Sequence, residues 1–238
     1  MGCINIYTMK YNGLSSSLSV KKRRLNIDSS SRCNLSCPGC GRTKWINAGL
    51  TADITDMNMD HFCALMRPEN NVGCLTYNLS LSDPIYSGVF IEQLEYVNTL
   101  ANRPQIQIST NGSGRNEKWW LKLSSLLNPI RVRGESDRVE FAIDGLQDTN
   151  HLYRRNSNWD SIMLGVRTLR SNWPGPMIWR YVIFEHNYHQ VTQAQTLAKQ
   201  LGFDRFRPVV GDGRTPKEML LRSKTWEEIA NDLSEMQI

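Results

Sequence analysis

Hydrophobic residues recur in two alternating patterns along the chain from Arg24 onward. Short stretches that are apolar at every second position, or continuously apolar, predict β-strands. Longer stretches with apolar residues three and four positions apart predict α-helices. The predicted strands are Leu25–Ser31, Cys74–Leu81, Gln105–Ser109, Val139–Ile143, Met177–Phe184 and Phe203–Val210. The predicted helices are Asn58–Arg67, Val89–Asn102, Glu117–Leu127, Trp159–Arg170, Gln190–Leu201 and Thr225–Met236.

A strand followed by a helix, repeated six times, is typical of a parallel α/β fold. The 238 residues suit one substantial core rather than two domains. We therefore expect residues 24–238 to form one domain, preceded by a poorly structured extension at residues 1–23. In a barrel of parallel strands, functional side chains gather at the C-terminal ends of the strands. The polar residues that follow each predicted strand are the first candidates for chemistry.

Three cysteines after the first predicted strand form the most specific of these candidates. Cys33, Cys37 and Cys40 have the spacing C-x3-C-x2-C. A four-iron cluster normally takes one thiolate for each iron, so three thiolates would leave one iron open to another molecule. A zinc site completed by a distant His or Cys, and three unrelated buried thiols, are the alternatives.

This motif resembles the signature of the radical S-adenosylmethionine (SAM) superfamily. The resemblance implies an α/β fold, a partial (β/α)6 TIM-like barrel, with a [4Fe–4S] cluster whose open iron binds SAM. In that family an electron from the cluster cleaves SAM to methionine and a 5′-deoxyadenosyl radical, which abstracts a hydrogen atom from the substrate. The cofactors carry this chemistry, while the protein positions them and excludes water.

Two further polar segments resemble motifs of the same family and follow in the family order. The segment S-L-S-D-P, which contains Ser82 and Asp83, takes the place of G-G-E-P after the second strand. The resemblance implies that these two residues lie near the amino group of SAM. The segment S-T-N-G, which begins at Ser109, is similar to T-N-G after the third strand. Ser109 or Asn111 would then reach the ribose or the carboxylate of SAM.

The fourth and fifth strands supply the remaining candidates. The segment A-I-D-G around Asp144 resembles S-x-D-G, found in members that act on peptides. The segment T-N-H-L-Y-R, which ends at Arg154, resembles a stretch whose arginine pairs with the SAM carboxylate. A planar guanidinium suits that role because it donates two parallel hydrogen bonds. Arg180, within the fifth strand, is expected to point into the barrel and contact SAM. The alternatives are a turn cap for Asp144 and a surface charge for Arg154.

Several positions depart from the family pattern. Leu81 and Ser82 replace the two glycines of G-G-E-P, and Ala142 replaces the serine of S-x-D-G. Gly39 stands before the third cysteine, where the family often has an aromatic residue against adenine. No cysteine follows Cys74, so we expect no C-terminal domain with a second cluster. The catalytic residues that act on the substrate are not identified by the sequence.

Net charge and cysteine usage give limited information about the partners and the cellular location of the protein. The net charge of +5 permits a nucleic-acid partner without requiring one. Cys3, Cys63 and Cys74 are scattered, and no secretory signal is visible, which predicts lone thiols in the reducing cytoplasm. The apolar runs are too short to span a bilayer, so no membrane partner is expected.

The function that these patterns favour is that of a radical SAM enzyme acting on a peptide, a protein or a small molecule. Such an enzyme needs an external electron donor, such as a flavodoxin or a ferredoxin. One alternative is the same chemistry on RNA, which the basic run Lys21–Arg24 would support. The other is a non-catalytic protein of the same fold that binds SAM and a cluster, which the altered glycine pair would support.

Overall fold

The computed structural model describes residues 22–50, 55–78, 81–129, 136–212 and 214–234. The strands are Arg23–Ile27 (β1), Val72–Tyr77 (β2), Gln105–Thr110 (β3), Arg138–Ala142 (β4), Met177–Ile183 (β5) and Arg205–Val210 (β6). The α-helices are Gly41–Asn47 (α1), Met59–Leu65 (α2), Phe90–Asn98 (α3), Glu117–Leu126 (α4), Asn150–Tyr153 (α5), Trp159–Asn172 (α6), Val191–Gln200 (α7) and Trp226–Ser234 (α8). Short 3-10 helices span Pro68–Asn70, Pro84–Tyr86, Tyr188–Gln190 and Lys217–Met219.

All six strands lie in one sheet, in their order along the chain, and each is parallel to the next. Within the described residues β1 and β6 do not pair, so the sheet stays open. The predicted partial (β/α)6 TIM-like barrel is confirmed. The open side leaves the inner face of the sheet accessible beside the strand ends.

The hydrophobic core lies between the sheet and its helices. Alternate strand residues such as Leu75 and Trp179 are fully buried there, together with helix residues such as Trp120. Because successive strand residues point to opposite faces, the intervening positions belong to the inner face. That face is polar: the Gln107 side-chain oxygen accepts from Arg138 Nη2 at 2.5 Å. The sheet thus has one face that stabilises the fold and one face free for a site.

The helix ends show why these segments fold where they do. The Asn58 side chain accepts hydrogen bonds from the backbone N–H groups of Asp60 and His61, which caps α2. Gly202, with a φ of +78°, ends the last turn after α7, as its position after the apolar pattern predicted.

The element boundaries differ from prediction at a few places. β1 ends at Ile27 rather than Ser31, because the chain bends there and Ser30 forms an isolated antiparallel bridge with Asp56. β2 ends at Tyr77, and residues 79–80 lie outside the described part, as do residues 1–21 of the predicted extension and residues 235–238 of the predicted last helix. Helices α1 and α5 were not predicted.

Two expectations about the setting can be compared with the structure. Cys33, Cys37, Cys40 and Cys74 are free. Cys63 is disulfide-bonded, so the expectation of a lone thiol at that position was wrong. Among the described residues, none of the helices has the length and apolar character that crossing a bilayer requires.

Candidate active site

The three cysteines lie on the loop between β1 and α1 and border one cavity of about 180 Å³. Cys37 is buried, and Cys33 and Cys40 are half-buried. The loop is compact because the Cys40 N–H donates to the Cys37 carbonyl at 3.1 Å. Arg42 braces it from α1, since its Nε donates to the Ser31 carbonyl at 3.1 Å. The local fold therefore brings the C-x3-C-x2-C motif to one wall of a concave site.

Burial raises the pKa values of two cysteines of this loop. Burial raises the pKa of Cys33 to about 12, and the nearby Asp83 carboxylate adds to the effect. The pKa of Cys37 is also raised, mainly by burial. Without a cation these thiols are protonated at neutral pH, whereas a metal centre deprotonates the thiols that coordinate it. The loop is thus suited to hold thiolates when a positively charged group binds.

The donor set can be tested against the two metals that the sequence suggests. Zinc needs its sulfur and nitrogen ligands at about 2.0–2.3 Å from one ion. In the described residues no three His, Cys, Asp or Glu side chains are grouped in that way. A four-iron cluster takes each thiolate on a different iron, so it fits thiols that share a cavity without meeting at one point.

Arg154 lies on the same cavity, directly after α5. Its Nε donates to Asp144 Oδ2 at 2.5 Å, and the other carboxylate oxygen accepts from the Val182 N–H at 2.7 Å. Although burial opposes it, the Asp144 carboxylate raises the pKa of Arg154, which keeps the guanidinium charged. The positive charge of Arg154 in turn opposes the rise in the pKa of Cys37 that burial causes. Asp144, which is fully buried, thus holds Arg154 against the cysteine loop.

Arg180, on β5, also lines the cavity. Its Nε is buried and has no hydrogen-bond partner among the described residues. A buried donor without a partner costs about 1–3 kcal/mol, so it indicates a group that a ligand completes. Asp212, across the cavity, is held by Arg214, whose Nη2 donates to it at 2.6 Å. Arg180 is therefore a cation of the cavity that is available to an anionic group.

Asp83 is fully buried and does not line the cavity. Its carboxylate accepts from Ile85 N at 3.2 Å, Thr110 Oγ1 at 2.9 Å and Asn111 N at 2.7 Å. Burial raises its pKa to about 6 despite these donors. The carboxylate thereby ties the segment after β2 to the end of β3. Ser82 does line the cavity, and its hydroxyl donates to Asp28 Oδ1 at 3.1 Å.

Asn111 lines the cavity, but its side-chain amide is directed at the cysteine loop. Its Nδ2 lies 3.7 Å from Cys33 Sγ and 3.1 Å from Asn34 Oδ1, and its Oδ1 accepts from Ser113 N at 2.8 Å. Ser109 lies two residues earlier, on β3, where it is half-buried opposite Glu140. It does not line the cavity. The end of β3 therefore positions the cysteine loop.

Seven of the ten candidate site residues border this one cavity, and three do not. Those that border it are Cys33, Cys37, Cys40, Ser82, Asn111, Arg154 and Arg180. Asp83 and Asp144 lie behind the wall, where they hold Asn111 and Arg154, and Ser109 lies on β3 away from it.

The structure adds residues that the motifs did not indicate. Tyr153 lines the cavity and packs on Phe184, with ring centroids 4.2 Å apart, and burial raises its pKa to about 12. A Cβ added to Gly39 would lie 2.6 Å from the Tyr153 hydroxyl and 2.8 Å from the Arg214 carbonyl. This close approach explains why glycine stands where the family often has an aromatic residue. Only the fold brings these distant positions together, so no local pattern could have found them.

His186 and His189, which follow β5, do not line the cavity. The His186 ring stacks on Phe184, with centroids 5.3 Å apart and an interplanar angle of 14°. Burial lowers the pKa of His186, so the ring is neutral at physiological pH. His186 therefore packs on the end of β5, whereas His189 is exposed.

Comparisons with known proteins identify the fold. No family model matches the sequence, and no curated protein matches it. Among solved structures, the fold is similar to that of Streptococcus suis SuiB bound to S-adenosylmethionine, with 13% identity and a TM-score of 0.64 over 90% of this chain and 47% of that chain. It is also similar to anSMEcpe with bound AdoMet and the Cp18Cys peptide, with 15% identity and a TM-score of 0.67 over 90% of this chain and 59% of that chain.

A third similar structure is TYW1 with a lysine-pyruvate adduct bound, at 14% identity and a TM-score of 0.55, over 90% of this chain and 73% of that chain. The chain spans only about half the length of SuiB. At these identities the likeness shows a shared fold, and it is the fold that the resemblance to the radical SAM superfamily predicted.

Proposed function

We propose that this protein is a radical SAM enzyme that acts on a peptide or protein substrate. The observation that carries the proposal is the cavity that three cysteines of the β1–α1 loop share with Arg180 of β5. The buried Nε of Arg180 has no hydrogen-bond partner in the part of the chain that the structure describes. A [4Fe–4S] cluster held there would supply one electron to cleave SAM and so start hydrogen abstraction from the substrate. The structures of SuiB and anSMEcpe with bound SAM support this use of the fold.

The residues of the cavity have separable roles in this proposal. Cys33, Cys37 and Cys40 hold three irons and leave the fourth to SAM. Arg180 donates to the SAM carboxylate, because its charge suits a planar anion and its Nε is unpartnered among the described residues. Arg154 is held by Asp144 and places a second positive charge near that carboxylate.

The residues after β2 and β3 complete the binding site in this proposal. Ser82 lies on the cavity wall, where the amino group of SAM would bind, and Asp83 and Asn111 fix that wall against the cysteine loop. Ser109 lies farther away and would reach the ribose only if the end of β3 moved.

A peptide substrate is favoured over a small molecule by the shape of the site. Val209 and Val210 of β6 border both the cavity and a larger groove of about 760 Å³, whose other wall includes Leu221 and Thr225. The groove is open and runs beside the edge strand, so an extended chain could reach the cavity from it. Two of the similar structures contain peptides: SuiB with its precursor peptide SuiA, and anSMEcpe with Cp18Cys.

The test is anaerobic reconstitution with iron and sulfide, followed by reduction in the presence of SAM. We expect about four irons per chain and the release of 5′-deoxyadenosine. The variant Cys33→Ala/Cys37→Ala/Cys40→Ala should bind no cluster, whereas Cys74→Ala, on β2 away from the cavity, should bind it normally. A triple variant that retains the cluster, or a wild-type protein that binds zinc and no iron, would refute the proposal.

Because such a cluster is sensitive to oxidation, we also propose that the protein works in the cytoplasm.

A further inference from the structure

The inner face of the sheet carries an excess of positive charge. The six strands contain six arginines and one acidic residue, Glu140. Arg24, Arg138 and Arg207 lie on the inner face, because each of them adjoins a strand residue that packs in the hydrophobic core. We call these three arginines the inner-face cluster.

The three guanidinium groups lie close to one another. Arg138 Nη2 donates to Gln107 Oε1 at 2.5 Å, and Arg24 Nη1 lies 3.5 Å from the same oxygen. Arg207 Nη2 lies 2.8 Å from Glu140 Oε2. Burial lowers the pKa of Arg138, and the positive charges of Arg24 and Arg207 add to the effect. Three cations thus surround one carboxylate and one neutral amide, which leaves a surplus of two positive charges.

The inner-face cluster is accessible and continuous with the candidate active site. The Arg207 side chain is 47% exposed, Arg24 is exposed and Arg138 is half-buried. Arg207 is the strand partner of Arg180, which lines the cavity, and Val209 on the same face borders both the cavity and the groove. A concave surface lined by charges of one sign attracts an oppositely charged ligand. A substrate that enters from the groove therefore meets a positively charged wall.

The ligand chemistry that fits the inner-face cluster is a carboxylate on a peptide. A guanidinium pairs with carboxylate and phosphate groups alike. A single-stranded nucleic acid also needs aromatic side chains on which its bases stack. The five aromatic residues of the six described strands all lie in the core instead: Tyr77, Phe141, Trp179, Tyr181 and Phe206. The inner face thus offers charge without a stacking surface, which favours a peptide over a nucleic acid.

We propose that the inner-face cluster binds an acidic side chain, Asp or Glu, of the peptide substrate. The inference rests on the proposed function and deepens it, because it specifies the kind of peptide that the enzyme accepts. Arg138 precedes Ala142, the strand partner of Arg180, by four residues, which is about 13 Å along a strand. An extended peptide covers that distance in about four residues. The acidic residue of the substrate therefore lies about four residues from the one that reaches the cavity.

The experiment measures binding of two fluorescein-labelled probes of similar charge, deca-glutamate and deca-uridylate, to the reconstituted protein by fluorescence anisotropy. Deca-glutamate should bind more tightly than deca-uridylate, with an affinity that falls as salt rises. Arg138→Gln should raise its dissociation constant about tenfold, the lower limit for the loss of a charge-assisted hydrogen bond. Arg24→Gln should raise it about two- to fivefold, because that side chain is exposed. Arg167→Gln is the matched control, since it removes the same charge from an exposed position on α6.

A variant with the opposite expected effect keeps the test independent of folding. Glu140→Gln removes the carboxylate that competes for Arg207 and should lower the dissociation constant for deca-glutamate about two- to fivefold. A damaged fold would not produce such a gain in affinity. An unchanged or weaker affinity in Glu140→Gln would overturn the proposal.

Two further outcomes would contradict the proposal. One is a loss of affinity in Arg167→Gln equal to that in Arg138→Gln, which would show that only the net charge of the protein matters. The other is tighter binding of deca-uridylate that Arg138→Gln abolishes, which would assign the inner-face cluster to RNA. Because binding requires neither the cluster nor turnover, the same titration on the cluster-free protein separates these results from a failure of the proposed function.

Discussion

Arg180 and Arg154 occupy the same cavity, but their surroundings assign them different tasks. Arg154 already uses its Nε on the buried Asp144, whereas the buried Nε of Arg180 has no partner among the described residues. The motif resemblance favoured Arg154 for the SAM carboxylate because a motif compares only positions along the chain. It could not show that Asp144, ten residues earlier, reaches the same guanidinium.

We therefore predict that Arg180→Gln weakens SAM binding more than any other single change of an arginine in the cavity. The loss of a charge-assisted hydrogen bond is worth about 1.5–3 kcal/mol, so the dissociation constant should rise roughly 10- to 150-fold. Equilibrium binding of SAM to the reconstituted protein measures this. Arg205→Gln, an exposed arginine on β6, is the control. An unchanged constant for Arg180→Gln would assign the carboxylate to Arg154.

Asn111 permits a second prediction at this scale, on the cluster itself. Its Nδ2 lies within hydrogen-bonding distance of Cys33 Sγ, and hydrogen bonds to ligating sulfurs stabilise the reduced, more negative cluster. Asn111→Ala should lower the midpoint potential by roughly 40 mV, the equivalent of about 1 kcal/mol for one electron. A redox titration followed by electron paramagnetic resonance measures the shift. An unchanged potential with normal iron content would mean that Asn111 only shapes the loop.

At the scale of elements, hydrophobic periodicity in the sequence predicted the strands and the longer helices. The strands and the longer helices have buried faces, and their apolar spacing follows from that burial. Helix α1 has no buried residue, so the segment G-R-T-K-W-I-N carries no such spacing and was missed. Helix α5 is only four residues long, too short for a periodic pattern. Gly39, between the second and third cysteines, was noticed as a departure, but its reason lies in the distant Tyr153 and Arg214.

The packing at Gly39 leads to a prediction about the cysteine loop. Gly39→Ala would place a Cβ 2.8 Å from a backbone carbonyl, which cannot move as a flexible side chain can. We expect a destabilisation of about 1–3 kcal/mol and a lower iron content after reconstitution. Gly41→Ala is a close control, because its Cβ would meet Leu81 at an ordinary 3.5 Å. Thermal melting and iron analysis of both variants test this, and equal behaviour of the two would show that the loop adapts.

The junction between β3 and β4 depends on one buried carboxylate. Asp137 is 1% exposed, pairs with Arg103 at 2.5 Å and accepts from Ile106 N at 2.7 Å and Asn128 N at 2.8 Å. Asp137→Ala leaves a cation and two backbone donors without their acceptor. We expect a loss of about 3–5 kcal/mol in the free energy of unfolding, measured by urea denaturation. Glu95→Ala is the comparison, since its ion pair with Lys122 is exposed on both sides and should cost far less.

At the scale of the whole molecule, the residues that stabilise the fold and the residues that border the cavity lie in different places. The core packs between the strands and the helices, while the cysteines, Arg180 and Val209 border a cavity at the strand ends. Few core residues take part in the cavity wall, so the two can change independently. Removal of the cluster by a chelator should therefore leave cooperative unfolding of the sheet and helices largely intact, unlike in small zinc domains that unfold without metal.

The change on cluster removal should be local. Amide hydrogen exchange should accelerate in residues 28–50, because the loop loses the group that holds its thiolates together, and remain slow in β3 to β5. The thermal midpoint should fall only by the amount that ligand linkage gives for a site restricted to the folded state. Loss of protection from exchange throughout the chain on chelation would contradict this prediction. It would show that the cluster contributes to the free energy of unfolding of the whole barrel.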